Sequence, residues 1–260
     1  MSENPYASLI RHLTELRLPA VRQRFEEFAR RAEQEDLSYE QYLVELVSEE
    51  IHTRRQHRIE RFLTESRLPL EKSLETFDMK RVPAKIARQV ATLSTGAFID
   101  NKENVLVFGN PGSGKTHLLC GLSQALVRKG RRVLFSQASL LVQQLLIAKR
   151  NLELGKVLKR LSGFDAILID DIGYIQQDRE EMEVLFTLLA DCYERTSVLL
   201  TSNLPFSKWE LIFKDPMTTA AAIDRLVHHS VIIELNLESY RISAAKKALH
   251  APENLNGVPA

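Results

Sequence analysis

The sequence predicts an α/β protein: a five-stranded parallel sheet flanked by helices, preceded by a small all-α domain. Three observations carry that expectation. Residues Gly109 to Thr116 read GNPGSGKT, behind an apolar run Val105-Leu106-Val107-Phe108 and ahead of His117-Leu118-Leu119, so a strand, a glycine-rich turn and a helix start follow in order. Two further apolar runs end in polar residues, Ala166-Ile167-Leu168-Ile169 in Asp170-Asp171 and Ser197-Val198-Leu199-Leu200-Thr201 in Ser202-Asn203. Such runs fit strands buried on both faces. From Pro5 to about Phe77, by contrast, apolar residues recur only at helical spacing.

Taken in order, Leu9, Leu13 and Leu16 form a first helical stripe, Leu18-Pro19 breaks it, and Val21, Phe25, Phe28 and Ala32 form a second. Ser38 followed by Gln41 is a capping box that starts a third helix, with Leu37 and Tyr42 at the staple positions. Its stripe Leu43, Val47, Ile51 is expected to pack on this small domain. At the same spacing it turns basic, as Arg54, Arg58 and Arg61 with Arg55 beside them. Two readings of that basic end compete, a solvated charged face and a face that contacts nucleic-acid phosphates. Residues 68–83 read as a linker, and Ile86, Val90 and Leu93 as a short helix ending near Gly96.

Beyond the glycine-rich turn a helix runs to Lys129 and is closed by Gly130, Arg132 to Ser136 make a second strand, and Leu140, Leu141, Leu145 and Leu146 mark another amphipathic helix. A basic segment follows, Lys149, Arg150, Lys156, Lys159 and Arg160, with the same two readings as before. A helix is expected over 179–195, another around Ala220 to Leu226, and a fifth strand over Val231 to Leu235. The domains predicted are 1–77, all-α, and 78–250, α/β, the latter with a lead-in over 78–103; residues 251–260 read as a disordered tail.

The glycine-rich turn specifies chemistry. Its backbone N–H groups, backed by a helix N-terminus, can cradle an anion, so Gly109, Asn110, Pro111, Gly112, Ser113, Gly114, Lys115, Thr116 and His117 are the candidate nucleotide-binding residues for ATP or GTP. Lys115 brings a full charge to the β and γ phosphates, and the Thr116 hydroxyl is placed to ligate Mg²⁺. Asp170, at a strand's carboxyl end, would hold the same ion through its water shell, and Asp171 would polarise the attacking water. Asn203 can bond both the γ phosphate and that water, or simply cap the turn before Pro205.

Composition excludes several classes. The 260 residues carry a formal net charge of +1, so affinity for nucleic acid must come from local patches. The two cysteines, Cys120 and Cys192, lie in apolar helical patterns, which suits buried thiols rather than a disulfide framework. No metal-ligand cluster is evident. No apolar run approaches the roughly 18 residues of a membrane span, so the expectation is a cytoplasmic protein.

GNPGSGKT, ILIDD, TSN and AAAIDRLVHH in this order resemble the AAA+ ATPases, and specifically their DnaC/IstB branch. The match is closest to the IstB-like transposition helper ATPases of bacterial insertion sequences, supported by LRLPAVRQRFEEFARRA, LSYEQYLVELVSEEIHTRR, the IDDIGY turn and RLVHHS. It extends from about Leu13 to Ala245. The resemblance implies ATP and Mg²⁺ as cofactors, Asn203 as a sensor asparagine, and Arg225 as the arginine that reaches a neighbouring subunit's nucleotide. It also implies homo-oligomers with nucleotide at subunit interfaces, assembled on duplex DNA with little sequence preference in the bacterial cytoplasm, and a cognate transposase as partner. Asp171 departs from the glutamate common in AAA+ proteins. The rival readings are a DnaC-type helicase loader, which would bind a helicase and single-stranded DNA, and, from a different class, a small-molecule kinase.

Overall fold

A computed structural model describes residues 4–174, 179–213, 215–237 and 239. The chain divides after Arg61 into two compact units, 1–61 and 62–260. The expected boundary at residue 77 therefore moves back sixteen residues, because Phe62, Leu68 and Val82 belong to the core of the second unit.

The first unit contains α1 (Pro5–Glu15), α2 (Pro19–Gln34) and most of α3 (Tyr39–Ser66). Proline opens both α1 and α2, where its missing N–H is no loss. The Ser38 capping box forms as expected: Ser38 N–H donates to Gln41 Oε1 at 2.8 Å, and Gln41 N–H to Ser38 Oγ at 3.3 Å. The core is Leu13, Val21, Phe28 and Leu46, with Leu18, Phe25 and Tyr42 packed against it. The stripe Leu43, Val47, Ile51 does not belong to it; these residues are 55%, 51% and 63% exposed, and Leu9 and Leu16 are exposed too. α3 instead turns Leu46 and Glu50 inward. Glu50 Oε2 accepts the Ala20 and Val21 N–H groups at 2.8 and 3.1 Å, in the unsatisfied first turn of α2. Arg54 Nε donates to Glu50 Oε1 at 2.7 Å, and its Nη2 to the carbonyl of Arg17. That clamp sets the helix's rotation.

The second unit is a parallel sheet of β1 (Asn104–Phe108), β2 (Val133–Gln137), β3 (Ala166–Asp170), β4 (Ser197–Ser202) and β5 (Ser230–Glu234), ordered β2-β3-β4-β1-β5. The second and fifth strands are thus shifted by one residue from their expected positions. β1, β3 and β4 are buried throughout, as their unbroken apolar runs require. Side chains alternate between two cores. Leu106, Ile167 and Leu200 face α7 (Ala138–Arg150), α9 (Arg179–Cys192) and α11 (Pro216–Val227); Val105, Leu168 and Leu199 face α4 (Ala84–Leu93) and α6 (Lys115–Arg128). Short helices α5 (Ala97–Asp100), α8 (Leu154–Leu161) and α10 (Glu210–Phe213) complete the described α-helices. Within them both cysteines are buried, and burial pushes their thiols up to about 12. The expected tail 251–260 lies outside the described residues.

Residues 68–83 are not a free linker but a strap held by one face of α6. His117, Gly121, Gln124 and Arg128 stand one above another on that helix. Gln124 Nε2 donates to the carbonyls of Pro69 and Lys72 at 3.0 and 3.1 Å, His117 Nε2 lies 2.9 Å from the Ser73 carbonyl, and Arg128 pairs with Glu75 at 3.1 Å. A Cβ on Gly121 would sit 2.7 Å from the Leu74 nitrogen, so only glycine lets the strap approach this closely.

Candidate nucleotide site

One side of the main cavity is built from the carboxyl edge of the sheet and the other from the strap. The cavity, about 410 Å³, is lined by residues 111–117 after β1, Gln137 at the end of β2, Asp170 and Asp171 at the end of β3, Asn203 after β4 and Leu237 after β5. The strap supplies the remaining wall with Lys72, Thr76, Phe77, Asp78 and Arg81.

The glycine-rich turn adopts the expected curl, with φ of +81° at Gly112 and +97° at Gly114, and α6 starts at Lys115. Lys115 is buried; its Nζ donates to the carbonyls of Gly109 and Asn110, both at 2.9 Å. The ammonium is thus folded into the turn it must serve. Asp170 is the hub on the facing strand. Its Oδ1 accepts from Thr116 Oγ1 at 2.8 Å and from Thr201 Oγ1 at 2.6 Å, and among the described residues it forms no ion pair. Thr201 Oγ1 in turn accepts the Asp171 N–H at 2.8 Å. Asp171 has φ of +59°, a left-handed conformation that costs a non-glycine residue about 1 kcal/mol or more, and that hydrogen bond helps to hold it. Asn203 Oδ1 is buried against Gly173 with no hydrogen-bond partner among the described residues, and a Cβ on Gly173 would collide with it.

Residues 111–116 of the turn therefore line one cavity with Asp170, Asp171 and Asn203, whereas Gly109 and Asn110 do not line it and give their carbonyls to Lys115; His117 joins at the rim, committed to Ser73 and Thr76. The strap was missed. Phe77 stands edge-on to the His117 ring, centroids 5.3 Å apart, and touches Gly114 so closely that a Cβ there would be 3.0 Å from the phenyl ring. Its signal was indirect: the small and polar face of α6 could not pack on an apolar sheet and had to meet something else.

Arg225 lies elsewhere. It lines a second cavity of about 260 Å³ with Asn101, Lys102, Asn104, Tyr193, Glu194 and His229, residues that precede or begin β1, β4 and β5. The guanidinium stacks 4.8 Å from the centre of the Phe186 ring and donates to the Ala221 carbonyl at 3.0 Å. This is the amino edge of the sheet.

The basic candidates divide. Arg54 is tied to Glu50, Lys149 to Glu183 at 2.9 Å, Arg150 to Glu180 at 3.4 Å and Lys156 to Glu153 at 2.9 Å. Arg55, Arg58 and Arg61 are exposed on α3; Lys159 and Arg160 are exposed on α8, whose Leu154, Val157 and Leu158 pack toward the core.

Residues 11–248 match the family of IstB-like ATP binding proteins. The chain belongs to that family. Among its relatives, an insertion sequence ATP-binding protein of Sinorhizobium fredii is 40% identical over 91% of this chain and 80% of its own length. The IS21 ATP-binding protein of Pseudomonas aeruginosa is 36% identical over 91% of this chain and 89% of its own. Solved structures agree on the fold. The DnaC helicase loader superposes with a TM-score of 0.53 at 15% identity, covering 65% of this chain and 97% of that one. DnaA from Aquifex aeolicus bound to AMPPCP gives 0.53 at 19% identity, covering 73% of this chain and 57% of that one. The family member described here is thus an ATP-binding AAA+ ATPase, and the nucleotide cavity sits where a parallel sheet of this kind offers it, beyond the carboxyl ends of the strands.

Proposed function

We propose that this chain is an ATP- and Mg²⁺-dependent helper ATPase of an insertion sequence, which assembles with further copies of itself on duplex DNA and presents that DNA to the partner transposase. The observation that carries the reading is the placement of Arg225 on the edge of the sheet opposite the nucleotide cavity. A five-residue strand spans about 16 Å, well beyond the reach of an arginine side chain, so Arg225 cannot serve its own chain's phosphates. It can serve a neighbour's. ATP then acts as glue between copies, and assembly depends on nucleotide concentration.

Within one cavity Lys115 binds the β and γ phosphates, Asp171 takes the proton of the attacking water, and Asn203 orients that water. Thr116 and Asp170 fit Mg²⁺: a hydroxyl and a buried carboxylate are hard oxygen donors, and Asp170 has no competing cation among the described residues. The ion would supply positive charge to offset the negative charge of the phosphates. For DNA, Lys159 and Arg160 on α8 are the strongest candidates, with Lys156 beside them, suited to phosphates rather than base edges. The names of the relatives support the insertion-sequence context.

The test is a mixture. Arg225→Ala should lower ATP turnover by about 10³- to 10⁵-fold, as loss of an arginine finger does, while nucleotide binding persists. Asp171→Asn should bind ATP without hydrolysing it. Combined, the two inactive proteins should regain partial turnover, because some interfaces receive one intact half from each. No recovery at any ratio, or a fully active Arg225→Ala protein, would overturn the shared site. A preference for single strands over duplex would replace the transposition reading with the helicase-loader one.

A further inference from the structure

Arg225 is held by a ring rather than by a carboxylate. Several arginines of the second unit settle on acids: Arg131 on Asp100 at 2.7 Å, Arg132 on Glu65 and Arg195 on Asp191 at 3.0 Å, Arg128 on Glu75 at 3.1 Å. Arg225 forms no ion pair among the described residues, although Asp224 precedes it and Glu194 lines the same cavity. Its guanidinium lies over the Phe186 ring, 4.8 Å from the centre, and Nη1 donates at 3.0 Å to the Ala221 carbonyl one turn back on α11. Phe186 stands in the middle of α9, which packs on α11, and its ring rests half-buried on the core of this side of the sheet. The ring is therefore fixed from beneath, and it offers its face to the cation.

The choice of partner has a chemical meaning. A carboxylate would neutralise the guanidinium and would have to be pulled away before a phosphate could take its place. An aromatic face attracts the cation through its quadrupole and leaves the positive charge uncompensated. Of the five N–H donors one is spent on Ala221, so the others stay available to an anion. Restraining a long side chain in advance also lowers the ordering cost at the moment its charge is needed. We propose that Phe186 is a positioning residue for Arg225: its ring holds the guanidinium in place at the amino edge of the sheet, charged and unpaired, for the polyphosphate of a second copy. The inference rests on Arg225 serving a neighbour's nucleotide and adds the group that aims it. Phe186 itself lines neither cavity, so it acts only through the arginine.

The full chain with ATP and Mg²⁺ provides the test. Phe186→Leu keeps an apolar side chain but removes the aromatic face. Its turnover at saturating ATP should fall about 3- to 30-fold, the share that a cation resting on a ring supplies, while the half-saturating ATP concentration stays in place because each chain binds its own nucleotide. Phe186→Tyr keeps the face and should retain most of the parent's turnover. Circular dichroism checks the fold; if the Leu chain does not fold, Phe186→Met, more pliant against a core, takes its place. The defect should also be cured from outside. Asp171→Asn subunits in excess bring an intact Phe186 and Arg225, so turnover per Phe186→Leu subunit should rise toward the parent value, whereas Arg225→Ala subunits should give no such rise. The mixture of Arg225→Ala with Asp171→Asn is measured beside these. If that mixture recovers while Phe186→Leu keeps parent turnover, is matched in its loss by Phe186→Tyr, or is not cured by Asp171→Asn, the role of the ring is overturned and the shared site stands. If that mixture does not recover, the shared site falls and this inference falls with it.

Discussion

Two buried carboxylates, one in each unit, show how similar surroundings can serve opposite purposes. Glu50 is 3% exposed and Asp170 4%. Glu50 is fully answered: two backbone N–H groups from α2 occupy one oxygen, and the Arg54 guanidinium neutralises the other. Asp170 receives two neutral hydroxyls on one oxygen and, among the described residues, no cation. A buried charge left without a counter-charge is expensive unless something else supplies one, so Asp170 is poised to ligate while Glu50 is a structural clamp. Burial alone does not distinguish them; the list of partners does.

Exchanging each carboxylate for its amide tests that contrast, and the largest effect belongs to Asp170. Asp170→Asn keeps both hydroxyl contacts but removes the charge, so ATP turnover should fall on the order of 10³-fold as several kcal/mol of charge stabilisation is lost. The Mg²⁺ dependence of nucleotide binding should flatten at the same time, a readout independent of turnover. Thermal stability should hold or rise, since a buried uncompensated charge has gone. A variant that hydrolyses ATP normally, or one whose stability collapses, would place Asp170 in the same class as Glu50.

The contrast also explains what the sequence revealed and what it hid. Asp170 was legible because a fully apolar run ending in acid reads as a strand with its carboxyl end at a ligand, and the glycine-rich turn confirmed the context. Periodicity placed all five strands to within a residue or so, since runs buried on both faces leave little choice of register. On α3 the same rule failed. Tyr42-Leu46 and Leu43-Val47-Ile51 are both valid helical stripes, and apolarity cannot say which one faces in. The choice was made by Glu50, whose carboxylate caps α2 across a sequence separation of thirty residues. The strap was hidden for a related reason: residues 68–83 have no period of their own, and their place is set by side chains of α6.

Thr201 supplies the intermediate effect. Its hydroxyl donates to Asp170 and accepts from the Asp171 backbone, so it orients the carboxylate and holds the next residue in its left-handed conformation without reaching the cavity itself. Thr201→Val is isosteric and should lower turnover by roughly 10- to 100-fold, the usual range for a residue that orients a ligand to metal. The half-saturating Mg²⁺ concentration should rise with it, whereas ATP affinity measured without metal should not move. Thr201→Ser should restore most of the loss. Equal defects in Val and Ser variants would mean that the methyl group's packing, not the hydroxyl, is what matters.

The smallest effect is at Glu50, and it separates the two carboxylates by pH. Burial pushes the Glu50 carboxyl up, but the Arg54 guanidinium and the Val21 and Ala20 N–H groups together outweigh it and hold it below the usual glutamate range. A group whose folded value is depressed contributes stability that is complete above its unfolded value and is lost as pH falls through the folded one. Glu50→Gln should therefore destabilise the first unit by about 1 to 3 kcal/mol near neutral pH, the range for weakening a buried, charge-assisted set of hydrogen bonds. The gap between parent and variant should close as the solution is taken below the ordinary glutamate range. Amide exchange in the first turn of α2 reads this directly, since Ala20 and Val21 lose their charged acceptor. ATP turnover by the second unit's cavity should be unchanged. A gap that persists undiminished into acid would show that Glu50 stabilises α2 through shape rather than charge, and the distinction from Asp170 would then rest on the missing counter-ion alone.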